Sequence, residues 1–463
     1  MITEYPVLVD THCHLDLPAY SEDLGDVIKR ASDEHIGRVI VPGIDVRSSI
    51  RAVDLAGKYE SVFAAVGIHP HSADEAGTED IETIRRLITE NDKVVAVGEI
   101  GLDGYKGYSS MRAQRDLFRK MLIMARQTDL PVILHNRQAD EIFLDIISGE
   151  APYKAGGVAH CFSSGDDVMR KLLSFGFHVS FTGCITFRNA GDLRERACRA
   201  PLDRLLLETD GPYMSPEPVR GKRNEPANLK FLARVLSEAH SLSPRDIARI
   251  TSHNANRLFR LGISEKPAVA YPIRDSLYLN ITNRCTNRCS FCVRDTSDFV
   301  MGHNLRLDRE PTSAEVKALL QDIDPYKEIV FCGYGEPTLR LGLVKEVASF
   351  VKSKGGKVRL TTNGQGNLIN GRDILPELKG IVDKVSISLN SPDSERYEDL
   401  CRSVFGKNAF EEVKDFMSGC GKNGIQVVVT CLDMIGEDGI RRCGEIANEA
   451  GAVFRLRHLD AVG

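Results

Sequence analysis

Six side chains able to hold hard divalent ions recur where strand-like segments of the amino half end. His12 and His14 stand two apart in Asp10-Thr-His-Cys-His-Leu-Asp16, Glu99 lies in Val97-Gly-Glu-Ile-Gly-Leu-Asp103, and His135, His160 and Asp210 close or follow later apolar runs. Side chains two apart on an extended strand point to the same side, so His12 and His14 are expected to grip one ion. Neutral imidazoles mixed with carboxylates suit zinc, manganese or magnesium. Glu99 is assigned as the bridge between two ions, with His12, His14 and Asp210 on the first and His135 and His160 on the second. Two ions roughly 3.5–4 Å apart activate a water and stabilise the leaving oxygen of a phosphodiester. Asp210, as acceptor of that water's proton, and Glu99 are therefore the catalytic candidates. A lone His-x-His is more often structural than metal-binding; it is the joint placement of six donors at strand ends that selects the metal reading. The same ions can polarise a carbonyl, so amide or ester hydrolysis stays open, as does a catalytically inactive scaffold that binds nucleic acid.

The carboxyl half carries a different chemistry. Cys285, Cys289 and Cys292 fall within eight residues, directly after a strand-like run. Three thiolates on such a loop suit a [4Fe-4S] cubane with one iron left open. Zinc is the rival, but a structural zinc site closes with a fourth ligand at a recognisable spacing, and His303 stands eleven residues on without a partner motif.

Elements must carry these donors to common points. Eight apolar runs rich in Val and Ile alternate with amphipathic stretches: 7–15, 38–43, 63–71, 94–103, 131–137, 157–164, 178–186 and 205–213. That alternation predicts an α/β fold, a closed (β/α)8 TIM-type barrel with its active site at the carboxyl ends of the strands. Helices are expected near 228–237 and 244–258, and the chain loosens at 262–274, the expected linker between a barrel over 1–261 and a second domain over 275–463. There the alternation restarts at 276–282, 328–333, 357–363, 384–390, 425–432 and 452–459, which predicts a partial (β/α)6 barrel.

The 463 residues, 42% hydrophobic and 27% charged, suit two globular domains. No run approaches the roughly 18 apolar residues of a membrane span, and the amino terminus lacks a basic segment followed by an apolar one. The expectation is a cytoplasmic protein without a membrane partner, its twelve cysteines reduced. The net charge of −5 gives no overall field toward polyanions, so nucleic-acid binding requires a local basic patch.

The amino half closely resembles the TatD family of metal-dependent nucleases. The resemblance rests on Thr11-His-Cys-His-Leu-Asp16, Gly67-Ile-His-Pro-His71, Gly98-Glu-Ile-Gly-Leu-Asp103, Leu134-His-Asn-Arg137, His160-Cys-Phe-Ser163, Glu208-Thr-Asp-Gly-Pro-Tyr213 and Arg220-Gly-Lys-Arg-Asn-Glu-Pro226, over residues 7–260. It implies the same ligand roles and a deoxyribonuclease-like hydrolysis of DNA or another phosphodiester. His69, His71, Arg137, Arg220 and Asn224 are the candidate holders of phosphate oxygens, Arg because its fork matches phosphate.

The cysteine triplet, with Phe291 before its last member, resembles the signature of the radical S-adenosylmethionine (SAM) superfamily. Cys332-Gly-Tyr-Gly-Glu-Pro337 resembles that superfamily's glycine-rich segment for the methionine end of SAM. Gly333 and Gly335 would allow close backbone approach, Glu336 would accept from an ammonium group, and Asn363 and Ser388 would reach ribose or substrate. The resemblance implies reductive cleavage of SAM, an electron donor such as a flavodoxin or ferredoxin, and a radical substrate that the motifs do not name. This half resembles short radical SAM proteins associated with TatD-like hydrolases, and the whole chain reads as a bifunctional fusion.

Overall fold

The computed structural model describes residues 5–458, and the chain divides into two compact units, Tyr5–Ser264 and Glu265 onward. The expected limits at residues 1 and 463 and the expected strand end at Leu459 lie outside the described residues.

In the first unit eight parallel strands follow one another around the sheet in chain order: β1 (Leu8–Asp10), β2 (Ile36–Pro42), β3 (Val62–Val66), β4 (Val94–Asp103), β5 (Val132–Arg137), β6 (Gly157–Ala159), β7 (His178–Phe181) and β8 (Leu205–Leu207). The ring closes where the Thr11 amide donates to Leu207 O at 3.0 Å and Cys13 bridges Gly211. Every residue of β4 is buried, as a strand covered on both faces requires. Side chains of Val9, Ile40, Ala65, Ile133, Val158 and Leu206 pack with Leu258 and Phe259 of the helix Pro244–Phe259. A larger core lies between the strands and the surrounding helices. These helices start where their sequences cap them. Asp45 and Ser48 form a reciprocal box before Val46–Lys58, and Ser243 with Asp246 does the same before Pro244–Phe259, whose first residue is proline.

Five of the eight strands, β1, β3, β6, β7 and β8, are markedly shorter than the apolar runs suggest. Beyond Asp10, Val66, Ala159 and Leu207 the ladders stop, because the chain must turn toward the mouth and its amides find loop partners instead.

The second unit has a seven-stranded sheet. Six strands are parallel and in chain order: β10 (Ser276–Leu279), β13 (Glu328–Phe331), β14 (Val358–Thr362), β15 (Lys384–Ser388), β16 (Gln426–Leu432) and β17 (Val453–Arg457). They match the six runs of a partial (β/α)6 barrel. The seventh, β9 (Ala270–Ile273), pairs antiparallel with β10, so the stretch 262–274 is not loose throughout. A two-stranded ribbon, β11 (Phe299–Val300) and β12 (His303–Asn304), follows the cysteine loop. His303 Nε2 lies 3.0 Å from Pro272 O of β9. Among the described residues no helix is long and apolar enough to cross a membrane.

Candidate functional site

The two histidines of the first motif lie beyond β1, not on it. The chain nevertheless stays extended. Cys13 donates its amide to Ile40 O at 3.0 Å and His14 to Gly211 O at 2.8 Å, so alternation continues. Cys13 turns into the core, while His12 and His14 face the mouth with their Nε2 atoms 3.3 Å apart. Buried Asp10 fixes this path by accepting the Thr209 amide at 2.9 Å and its hydroxyl at 2.6 Å. The Asp210 backbone sits at φ 54°, in the left-handed region that L residues rarely adopt, and its amide donates to His12 O at 2.8 Å.

Glu99, on β4 and 3% exposed, is the centre of the constellation. Its Oε2 lies 3.4 Å from His12 Nε2 and 3.8 Å from His14 Nε2. Asp210 Oδ1 closes that group, 3.8 Å from His12 and 3.6 Å from His14. The other oxygen, Oε1, lies 2.8 Å from both His135 Nδ1 and His160 Nε2, and those nitrogens are 3.3 Å apart. All six expected metal donors therefore meet, divided between the two oxygens of one carboxylate.

Burial alone would raise Glu99, but the surrounding imidazoles, His160 and His69 foremost, hold it well below the usual carboxylate range. His160 is raised well above its ordinary value, against its burial, by Glu99 and Glu208. Burial lowers His12. Among the described residues neither Glu99 nor Asp210 has a lysine or arginine partner within 4.0 Å. Two buried carboxylates faced only by imidazole nitrogens are a donor set that fits divalent cations.

Two acids that the sequence reading left without a role support these donors. Asp103 Oδ2 is 3.2 Å from His135 Nε2 and 3.0 Å from His71 Nε2, which turns the Nδ1 of His135 toward Glu99. Glu208 lies 3.7 Å from His160 Nδ1 and accepts the Cys161 amide at 2.5 Å and the Ser180 hydroxyl at 2.7 Å. Each lies close to a donor in the chain, four residues after Glu99 and two before Asp210.

His69 Nε2 is 3.3 Å from Glu99 Oε1, and its Nδ1 accepts the His71 amide at 3.1 Å. His69, His71 and Arg137 line a cavity of about 680 Å³ over the donors, with Lys106, Tyr213 and Cys184 also in its wall. Arg220 and Asn224 are not brought to it. Arg220 stacks on Phe187 at 4.0 Å. Asn224 is fully buried, its amide donating to Thr209 O at 2.9 Å and Tyr213 O at 2.8 Å, so it ties the loop after β8 together instead of facing phosphate.

In the second unit the cysteine loop is braced from far along the chain. The Arg288 amide donates to Cys401 O at 3.0 Å and the Ser290 amide to Leu400 O at 2.9 Å. Cys289 packs against buried Cys401, whose hydrogen bond, with burial, pushes the Cys289 thiol up. Burial pushes Cys285 up to about 11, and its Sγ accepts the Asn287 amide at 3.4 Å. All three thiols are free and partly buried. A loop of free thiols with an amide turned on sulfur fits an iron-sulfur cluster, whose charge such bonds stabilise.

The residues expected at SAM are partly engaged elsewhere. A Cβ on Gly335 would collide with the carbonyl oxygens of Thr282 and Arg284, and one on Gly333 with Asn280, so both glycines admit the chain entering the cysteine loop. Buried Glu336 accepts from the Thr338 amide at 3.1 Å, its hydroxyl at 2.7 Å, the Thr362 hydroxyl at 2.8 Å and the Asn363 amide at 2.7 Å. It is therefore a clasp between the ends of β13 and β14. Asn363 Nδ2 donates to Thr286 at 2.8 Å, and Thr286 donates to Gln365 at 3.1 Å. Gln365, unmarked in the sequence reading, also donates to Asn287 Oδ1 at 2.9 Å. Ser388 stays half-exposed at the end of β15.

Comparison with known proteins agrees with both halves. The chain is 40% identical over 255 residues to the uncharacterized metal-dependent hydrolase YabD of Bacillus subtilis, covering 55% of this chain and all of that one. It is 34% identical over 260 residues to the 3'-5' ssDNA/RNA exonuclease TatD of Erwinia billingiae, covering 55% of this chain and 99% of that one. The crystal structure of YJJV, a TatD homolog from Escherichia coli, superposes with a TM-score of 0.53 at 31% identity over 55% of this chain and 98% of that one. Residues 279–448 match the radical SAM superfamily. Since residues 9–260, more than half of its length, match the TatD related DNase family, the chain belongs to that family and carries a radical SAM domain behind its hydrolase barrel.

Proposed function

We propose that the barrel is a dinuclear, divalent-metal-dependent phosphodiester hydrolase acting from the end of a nucleic-acid strand, and that the second unit reductively cleaves SAM to act on a separate radical substrate. The observation that carries the first part is the division of donors between the two oxygens of Glu99. His12, His14 and Asp210 would hold one ion, His135 and His160 the other. Magnesium, manganese or zinc bound there supplies an activated water and neutralises charge on the phosphate. Asp210 accepts the proton of the attacking water, at the rim of the cavity where its carboxylate meets His14. His69, His71 and Arg137 hold phosphate oxygens from the cavity wall. The exonuclease named for the Erwinia billingiae relative supports a nucleic-acid substrate.

In the second unit Cys285, Cys289 and Cys292 would hold a [4Fe-4S] cluster. With SAM, that cluster supplies a deoxyadenosyl radical able to abstract hydrogen, given one electron from a flavodoxin or ferredoxin. Gly333 and Gly335 shape the approach to the methionine end, and Ser388 faces the ribose or the substrate. Glu336 and Asn363 act as positioning residues through the contacts described above.

The test has two arms on the full chain. Manganese- or magnesium-dependent release of mononucleotides from 3'-labelled single-stranded DNA is expected, and its absence with any divalent ion would remove the hydrolase reading. After anaerobic reconstitution with iron and sulfide, deoxyadenosine should form from SAM under reducing conditions and vanish in Cys289→Ala. Unchanged product in that variant contradicts the cluster assignment.

A further inference from the structure

One face of the second sheet packs against helices; the other is packed by the cysteine loop and the two-stranded ribbon at β9 and β10 and becomes more exposed toward β17. On β16, Val427, Val429 and Cys431 are buried while Val428, Thr430 and Leu432 are partly exposed, and on β14 the same alternation separates Val358 and Leu360 from Arg359 and Thr361. Residues paired across parallel strands share a face. Arg359 pairs with Lys384, Ser388 with Thr430, Thr430 with Arg455, and Leu432 with Arg457. Arg359, Lys384, Arg455 and Arg457 therefore stand on the face opposite the helices, which Ser388 also shares; of the four, Arg455 and Arg457 are exposed.

The acid among them is Glu328, which pairs with Arg359 at 3.0 Å and with Lys384 at 3.7 Å. Arg455 and Arg457 are exposed and have no hydrogen-bond or ion-pair partner among the described residues. Two residues apart on one strand, their Cα atoms are separated by roughly 6.6 Å, a spacing at which two guanidinium forks can take two anionic groups of one small molecule. The charges of Arg457 and Arg359 both act on the Cys332 thiol, opposing the burial that raises it. The edge strand's cation thus bears on the end of β13, where the glycine-rich segment begins. In a chain of net charge −5 this local excess is not background. An apolar occupant would strip water from two unpaired guanidiniums, and a cationic one would be repelled.

We infer that the exposed β17 side of this face binds the radical substrate, and that the substrate is a small molecule with two negatively charged groups, phosphate or carboxylate, held by Arg455 and Arg457. The inference rests on the radical SAM reading of this unit and deepens it. Guanidinium recognises both oxygen acids through charge-assisted paired hydrogen bonds.

The probes are pyrophosphate and malonate, titrated calorimetrically into the full chain after a chelator has removed ions from the barrel. At least one is expected to bind with one-to-one stoichiometry, weaken at least tenfold in Arg455→Gln/Arg457→Gln, and weaken less in Arg455→Lys/Arg457→Lys, which keeps the charge. A stronger response to pyrophosphate assigns phosphate, and a stronger response to malonate assigns carboxylate. Single Arg457→Gln, weakened at least threefold, carries the test should the double variant fold poorly by circular dichroism. The inference is overturned if neither probe binds the parent at millimolar concentration, if the variants bind as the parent does, or if a short polyglutamate binds more tightly than either small dianion. Deoxyadenosine formation by the reconstituted parent decides the radical reading separately. Product together with variant-insensitive anion binding overturns this inference alone, whereas no product removes the reading beneath it.

Discussion

At the barrel mouth both the donors and their supports are scattered along the chain; in the second unit the donors are adjacent and only the supports are scattered. His12 and Asp210 stand 198 residues apart in number yet their side chains approach to 3.8 Å, whereas Cys285, Cys289 and Cys292 share one loop whose braces come from Gln365, Leu400 and Cys401. Among the described residues the close groups of three donor atoms, such as His12, His14 and Glu99, lie at the barrel mouth. Donors to one ion must crowd into a single coordination sphere, while each thiolate of a cubane holds a different iron. A closed barrel can supply crowding because every strand points at the same opening, and an open sheet is relieved of that demand by a compact loop.

Three substitutions can break or sharpen this contrast. Asp210→Asn should lower hydrolysis by roughly 10²- to 10⁴-fold and leave deoxyadenosine formation from SAM intact; a fall in both would mean that the sites do not work separately. Asp103→Asn removes the acid opposite His135 Nε2 and should weaken divalent-metal binding ~10–100-fold, read by zinc titration, with cluster iron unchanged. Thr286→Val removes the hydroxyl between Asn363 and Gln365. It should destabilise the second unit by about 1 kcal/mol and lower iron uptake on reconstitution, while the barrel's metal affinity stays that of the parent. If iron uptake were unaffected, the distant braces would not matter to the loop.

The same contrast governs what could be read from residues alone. Strand order, the meeting of the six candidate metal donors and the cysteine loop follow from period and spacing, because alternation survives even where the ladder stops, as at His12 and His14. What escaped was contact between elements remote in sequence. Asn224 and Glu336 have the right chemistry for a ligand, but both are satisfied by partners in neighbouring loops, and a sequence does not say which acceptor a buried donor has already found. Asp103 and Glu208 escaped because nothing in their own type separates a supporting acid from a surface one. The antiparallel β9 was hidden because Tyr271-Pro-Ile273 between glycine- and proline-containing stretches reads as a connection, and proline is tolerated there because the strand forms the sheet's edge.

At His69 one backbone amide sets which ring nitrogen carries the proton. Because the His71 N–H occupies Nδ1, and burial holds the ring's pKa down at about 4, the imidazole is neutral near pH 7 with its single proton on Nε2. That nitrogen faces Glu99 Oε1 at 3.3 Å as a donor. The cavity wall thus presents an uncharged donor there, able to grip an ester oxygen without adding a charge of its own.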